Sequence, residues 1–292
     1  DPRIRAAAVR AVGRTSNGLA HLAKAVGDSH PRVRLAAVCA LRDLGTKEAS
    51  DVVLGALDHE VDLNLDFALE MAVRDTRDAW LPALQSGERV FGGNANSLSY
   101  ALNKAQDKRA IGGLAEIIAE GRLKGSALNN AITTVASLGS PEQMGELLQK
   151  AQDHPDWLPA IAQGVRYNAK EPPLKSRAMM FLNSKVADIR IAAAGLCGAW
   201  KVSSAEDLLA KGAKDSKTIE EAEAMADALA RIGSKDLLEQ LAGSSEADLQ
   251  RVAAVAASSR VDPSSTAVQA GALLVSLKDP ALAIVLVEAF LS

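Results

Sequence analysis

Aromatic residues are scarce: the 292-residue chain holds four Phe, two Tyr and three Trp. A conventional core of this size leans on such rings, so a large α/β unit is disfavoured. Cysteine is scarcer still, with Cys39 and Cys197 alone, which excludes a disulfide scaffold. No uninterrupted apolar run reaches the roughly 18–20 residues that a membrane-spanning helix needs. The nearest, Ala281 to Leu291, is shorter and contains Glu288. Charge of one sign is missing as well: 33 basic against 36 acidic residues leave a net charge of -3, with no global pull towards nucleic acid or an anionic membrane. Intrinsic disorder requires low hydrophobicity, and 48% of the residues are hydrophobic.

Catalytic signatures are missing too. There is no Gly-x-Ser-x-Gly, no Gly-rich phosphate loop after a strand and no Cys-x-x-Cys-His. His21, His30, His59 and His154 stand at no metal-ligand spacing. No cofactor, metal or catalytic residue is therefore expected. The sequence opens on Asp1 rather than Met, as expected of a section of a longer chain.

What is abundant is Ala, about a fifth of the residues. Ala costs no side-chain entropy in a helix and lets helices approach closely. The composition predicts an all-helical protein packed through small and aliphatic side chains. A repeat gives it order. Asp1-Pro-Arg-Ile-Arg-Ala-Ala-Ala-Val recurs as His30-Pro-Arg-Val-Arg-Leu-Ala-Ala-Val, again at Ala187-Asp-Ile-Arg-Ile-Ala-Ala-Ala, and more weakly at Ala247-Asp-Leu-Gln-Arg-Val-Ala-Ala-Val. Anchored on the first aliphatic residue, the copies start at Ile4, Val33, Ile189 and Leu249. Leu63, Leu98, Leu128, Leu158, Ile219 and Leu282 fill the gaps, and successive anchors stand 29, 30, 35, 30, 30, 31, 30, 30 and 33 residues apart.

Each anchor opens a helix. Val33, Ala36, Ala37, Ala40, Leu41 and Leu44 make one helical face. Pro2 and Pro31 mark starts, and Gly45 marks a stop. A second amphipathic segment, such as Leu19, Leu22, Ala23 and Val26, lies between anchors. Two short helices that cannot bury their faces alone must stack. The prediction is an all-α, right-handed α-α superhelix of about ten two-helix repeats, one solenoid over residues 1–292. The copies with Asp/His-Pro-Arg-Val/Ile-Arg-x-Ala-Ala resemble short, lyase-type HEAT-like repeats, in an armadillo-like solenoid.

Arg5, Arg34 and Arg190 each follow an anchor directly; Asn64, Ser99, Asn129, Glu220 and Gln250 hold that place elsewhere. The HEAT resemblance implies an Arg ladder bonding between neighbouring units. The rival reading is a basic groove. Residues 1–45 hold eight basic residues against three acidic ones, and residues 46–90 hold four against ten. That reversal argues against a continuous stripe for nucleic acid. It predicts two electrostatically different zones, the acidic one solvated or facing a partner. Gly92-Gly93-Asn94-Ala95-Asn96 falls in the longest anchor spacing. It is read as an inter-helix loop capped by Asn96 or Ser97, or as a loop in which Gly92, Gly93, Asn94 and Asn96 reach a partner. Cys39 and Cys197 are read as buried structural thiols, and Trp80, Trp157 and Trp200 as core plugs.

Leu65-Asp-Phe-Ala-Leu-Glu-Met-Ala72, then Trp80-Leu-Pro-Ala-Leu84 and Gly87, and separately Leu196-Cys-Gly-Ala-Trp-Lys201, resemble blocks in planctomycete-type membrane-bound dehydrogenase proteins. In that family a sugar-dehydrogenase-like propeller precedes HEAT-like repeats and a cytochrome c-type domain often follows. The resemblance implies a redox parent, with this chain as its middle section and an exported or periplasmic setting. The expected role is a non-catalytic scaffold that binds a protein or flanking domains of the same chain, without nucleic acid or membrane insertion. The apolar last helix, with Ile284, Val285, Leu286, Val287 and Leu291, is expected to be covered by further chain or to drive self-association. Two alternatives stay open: a HEAT-like enzyme of the bilin lyase or DNA glycosylase kind, and a nucleic-acid-binding solenoid.

Overall fold

A computed structural model describes every residue except 14, 16–17, 87, 106, 168–169, 245–246 and 292. Among the described residues all regular structure is helical. The helix starts follow from local chemistry. Pro2 and Pro31 sit in the first turns of α1 (Pro2–Val12) and α3 (Pro31–Leu44), where a missing N–H is no loss. The Asp1 carboxylate accepts from the Arg3 N–H at 2.7 Å, and His30 Nδ1 accepts from the Arg32 N–H at 3.2 Å. At its other end α3 stops where Gly45 takes φ 65°, a left-handed turn that a side chain would strain.

The chain forms two compact units, residues 1–138 and 139–292. In the first, α1, α3, α5 (Leu63–Asp75), α7 (Ala95–Ala105) and α9 (Gly125–Leu138) carry the anchors, and each packs on the next. Behind them, α2 (Gly18–Ala25), α4 (Lys47–Val53) and α6 (Arg77–Gln85) form a second row; α8 (Ile111–Ala119) packs on α7 and α9. The second unit repeats the plan. Its anchored helices are α11 (Leu158–Val165), α12 (Ala187–Ala199), α14 (Ile219–Ile232), α16 (Asp248–Val261) and α18 (Pro280–Leu291), again packed in succession. The intervening helices are α10 (Pro141–Lys150), α13 (Glu206–Asp215), α15 (Lys235–Ser244) and α17 (Pro263–Ser276). Each unit is by itself a stack of helix pairs, and the fold is an all-α solenoid.

Every anchor falls in a helix, but two point outward: Ile4 at the first helix is 70% exposed, and Leu63 sits on the wrong face of α5. Leu63 is 89% exposed, whereas Leu65 is 1% exposed and begins the buried set Leu65, Ala68, Leu69, Ala72 and Val73. The spacing rule took the first aliphatic residue it met; Asp62, whose carboxylate accepts from the Leu65 N–H, had already fixed where the helix begins. A second departure lies between α11 and α12. The expected α-helix is replaced by a 3-10 segment, Lys175–Asn183. Pro172 and Pro173 disfavour helical backbone at the residues before them, and Leu174 enters at φ 59°, outside the α-helical region.

Small residues set how closely the anchored helices approach. A Cβ on Gly198 of α12 would lie 2.9 Å from Ala228 Cα in α14, and one on Gly13 would lie 2.7 Å from Ala40 Cβ in α3. α16 is buried nearly all round, from Val252 through Ala257, between α14 and α18. The Ala-rich composition is thus what lets neighbouring helices touch along their backbones.

Candidate functional site

The three predicted arginines tie consecutive repeats together. Arg34 is buried; its Nη1 donates to the Asp28 and Ser29 carbonyls at 2.9 and 3.2 Å, and its Nη2 donates to the Glu60 carbonyl at 2.6 Å. One guanidinium therefore holds the turn before its own helix to the turn before the next anchored helix. Arg190 repeats the device: Nη1 donates to the Ser184 carbonyl at 2.7 Å and Nε to the buried Glu221 carboxylate. That bond raises the Arg190 pKa above its ordinary value. Arg5 is more exposed and makes a two-pronged contact with the Asp28 carboxylate at 2.9 and 2.8 Å. Asp28 is pulled below the usual carboxylate range by that contact with Arg5.

Two of the other residues at this position also bond across repeats. Ser99 Oγ donates to the Ala127 carbonyl at 3.3 Å, and Gln250 Nε2 donates to the Ser216 carbonyl at 2.9 Å. Sequence reasoning singled out Glu220 at this place; the buried acceptor is its neighbour Glu221.

Gly92, Gly93, Asn94 and Asn96 form a turn pinned at its base. Phe91 is buried against Trp80, with ring centroids 5.2 Å apart, and its N–H donates to Asp51 at 2.7 Å. Phe91, Gly92 and Gly93 all take positive φ, which the two glycines accept without strain. The cap of α7 is Asn94, not Asn96 or Ser97: its Oδ1 accepts from the Asn96 and Ser97 N–H groups at 2.9 and 3.2 Å. Gly92, Asn94 and Asn96 remain exposed.

The acidic residues of 46–90 are in part consumed internally. Asp66 and Glu70, one turn apart on α5, hold Lys104 of α7 at 2.8 and 3.2 Å. Burial pushes the Asp66 pKa up, but hydrogen bonds from Lys104 and Tyr100 outweigh it and the net direction is down. The same clasp recurs in the second unit, where Glu223 and Asp227 on α14 hold Arg260 of α16 at 2.7 and 2.6 Å. The sequence signal for it, overlooked above, is an acid pair spaced i, i+4 one repeat before a base in a helix's last turn.

An open groove of about 1210 Å³ lies in the second unit, across α11, α12, α14 and α16. Its floor is small and apolar, with Ala162, Ile191, Gly195 and Ala224. Asp188 and Glu220, from the first turns of α12 and α14, stand along one rim. Along the other stand Arg166, Lys201, Arg231 and Arg260, each at or just beyond the end of an anchored helix. Acids at helix starts and bases at helix ends both suit the helix dipole. Arg260 is clasped by acids; Arg166, Lys201 and Arg231 are exposed and have no ion-pair partner among the described residues.

Trp80, Trp157 and Trp200 are buried, and Trp80 Nε1 donates to the Val73 carbonyl at 3.1 Å. Cys197 is buried, and burial pushes its thiol up to about 12. Cys39 is only half-buried, because it lies at the edge of the α3 core face rather than on it. Among the described residues no three His, Cys, Asp or Glu side chains gather where they could hold a metal ion. No helix described is long and apolar enough to cross a membrane. Gly87 lies outside the described residues.

No curated protein matches the chain. Residues 1–74, which run from α1 nearly to the end of α5, match the family model of HEAT repeats. The match shows likeness to HEAT repeats over residues 1–74, and the stacked helix pairs of both units make the fold an all-α solenoid.

Proposed function

We propose that the chain is a non-catalytic repeat scaffold whose groove on α11, α12, α14 and α16 binds a protein segment, either from a partner or from a flanking domain of the same chain. HEAT repeats commonly mediate protein interactions. The observation that carries the reading is the groove itself: an apolar floor between two charged rims, with three cations that have no ion-pair partner among the described residues. Resemblance at Leu65–Ala72, Trp80–Leu84 and Leu196–Lys201 supports placing this scaffold within a larger oxidoreductase-like protein. One continuous stack over residues 1–292 is part of the same proposal.

A random peptide library selected on the immobilised chain tests the groove. Enriched peptides should protect α12 and α14 amides from hydrogen exchange, and Gly195→Trp should abolish their binding by filling the floor. A library that yields no peptide protecting these helices would falsify the reading.

A second reading rests on a separate observation. Val268 and Val275 on α17, with Ile284 and Leu291 on α18, are exposed apolar side chains. Exposed apolar side chains on two neighbouring helices favour self-association. A molar mass by light scattering that rises with concentration, and falls back in Val275→Glu, is the expected result.

A further inference from the structure

We propose that the groove of the second unit takes an extended acidic peptide, with carboxylates at roughly every third residue set against Arg166, Lys201 and Arg231. This inference rests on the reading of the groove as a protein-binding surface and names its partner's chemistry.

The first argument is a contrast within the molecule. Bases in the last turns of anchored helices occur in both units: Arg10, Arg42, Arg74 and Lys104 in one, Arg231 and Arg260 in the other, joined there by Arg166 and Lys201 just past their helix ends. Helix-dipole stabilisation accounts for bases at these places in either unit. In the first unit, most are neutralised by the protein's own acids. Arg42 meets Asp75 at 3.5 Å, Arg74 meets Glu70 at 2.9 Å, and Lys104 meets Asp66 and Glu70. In the second, three successive cations line a groove with no acid paired to them among the described residues. Incoming carboxylates are the complementary chemistry.

The second argument is spacing. Packed helices stand about 8–10 Å apart. An extended or polyproline-type chain advances about 3.1–3.4 Å per residue, so about three residues cross each helix. A carboxylate at every third residue therefore keeps step with the row of cations.

The third argument selects a peptide over a nucleic acid. The opposite rim carries Asp188 and Glu220, and the groove wall also holds Glu223 and Asp227. A uniform polyanion would be repelled there. Among the described residues no aromatic side chain lines the groove to stack a base, which single-stranded nucleic acid would use. A peptide places acids on one side and leaves the other neutral or basic.

The test uses the whole chain and a fluorescein-labelled peptide repeating Glu-Pro-Thr, read by anisotropy at low salt. Expected is saturable binding that weakens with salt and is absent for the matching Lys-Pro-Thr peptide. Lys201→Glu and Arg231→Glu should each weaken it about tenfold. Arg10→Glu, the same charge change at an exposed base of the first unit, should leave it within about twofold. Thermal melting checks that each variant is folded, and Arg231→Gln supplies a milder variant. No binding of the acidic peptide, or equal losses from Arg10→Glu and Arg231→Glu, overturns the inference. Tighter binding of single-stranded oligo-dT, lost in the same variants, overturns it in favour of nucleic acid. If library peptides protect α12 and α14 yet carry no acids, the scaffold reading stands and this one falls.

Discussion

The two units share one building plan and differ in what they do with charge. In residues 1–138 the bases at helix ends are largely tied down: Arg42, Arg74 and Lys104 meet acids of the same or an adjacent helix pair, and Arg77 and Arg109 converge on Asp107 at 3.3 and 2.7 Å. In residues 139–292, of the described bases at the ends of the anchored helices, Arg260 is clasped by acids, while Arg166, Lys201 and Arg231 stay open along a groove. The packing contacts are alike, since Gly13 against Ala40 in one unit has its counterpart in Gly198 against Ala228 in the other. The comparison separates two duties of the same repeat position. The apolar face and the buried Arg decide whether repeats stack; the charge at the helix end decides what the exposed face offers.

The largest effect should come from the stacking device. Arg34→Ala removes one guanidinium from three carbonyls and is expected to cost about 3 kcal/mol, since bonds to charged donors are worth roughly 1.5–3 kcal/mol and the acceptors are left unsatisfied. Urea denaturation measures it. Arg5→Ala, at an exposed pair, should change little by comparison. Equal losses from the two would erase the distinction between a buried rung and a surface contact.

Next is helix approach in the second unit. Gly198→Val forces α12 from α14 and should cost about 2 kcal/mol, within the usual range of overpacking. Gly195→Ala, three residues earlier and facing open space, should instead stabilise by about 0.5–1 kcal/mol by restricting the unfolded chain. The opposite signs are the test; destabilisation by both would mean that the groove floor is as tightly packed as the interface.

Acid should act on the first unit before the second. Side-chain hydrogen bonds from Arg109 hold the Asp107 carboxyl at about 2, and contact with Arg5 holds Asp28 below its ordinary value. An unfolded Asp titrates near 3.9, so the folded groups are the depressed ones. Their stabilisation is complete above about pH 4 and is lost as pH falls towards 2. Hydrogen exchange followed from pH 6 to pH 2 should therefore show α3 and α7 losing protection ahead of α12 and α14. Asp107→Asn should flatten the pH dependence of the first unit. A steeper loss in the second unit would reverse the comparison.

The smallest effect is expected at the open row. Arg231→Glu touches an exposed side chain with no ion-pair partner among the described residues and should move stability by no more than about 0.5 kcal/mol, while changing peptide binding strongly. A large loss of stability would show that Arg231 belongs to the stack and not to the groove.

Much of the fold is legible in the sequence, because its cause is local. Pro at a helix start, Gly45 at a stop and aliphatic residues at helical spacing act within a few residues of one another, and stacking follows from faces that no single helix can bury. Arg34 and Arg190 could be singled out because each recurs one place after an anchor. Leu63 shows the limit: both it and Leu65 are aliphatic, and only the Asp62 cap and the neighbouring helices choose between them. The 3-10 segment Lys175–Asn183 depended on how Pro172, Pro173 and Leu174 turn the chain, a geometry that periodicity does not register. Nor could the sequence say which acids are consumed. Asp66 and Glu70 looked like part of a solvated zone until α7 brought Lys104 to them.

The sequence by itself thus determined the helices, their thirty-residue step and the small side chains that let them pack, since these rest on backbone propensity and near-neighbour periodicity. Only the tertiary structure decided which charges meet. A cation is neutralised or left open according to what stands a few ångströms away on another helix, and that neighbour lies about thirty residues distant along the chain, as Arg260 does from Glu223 and Asp227.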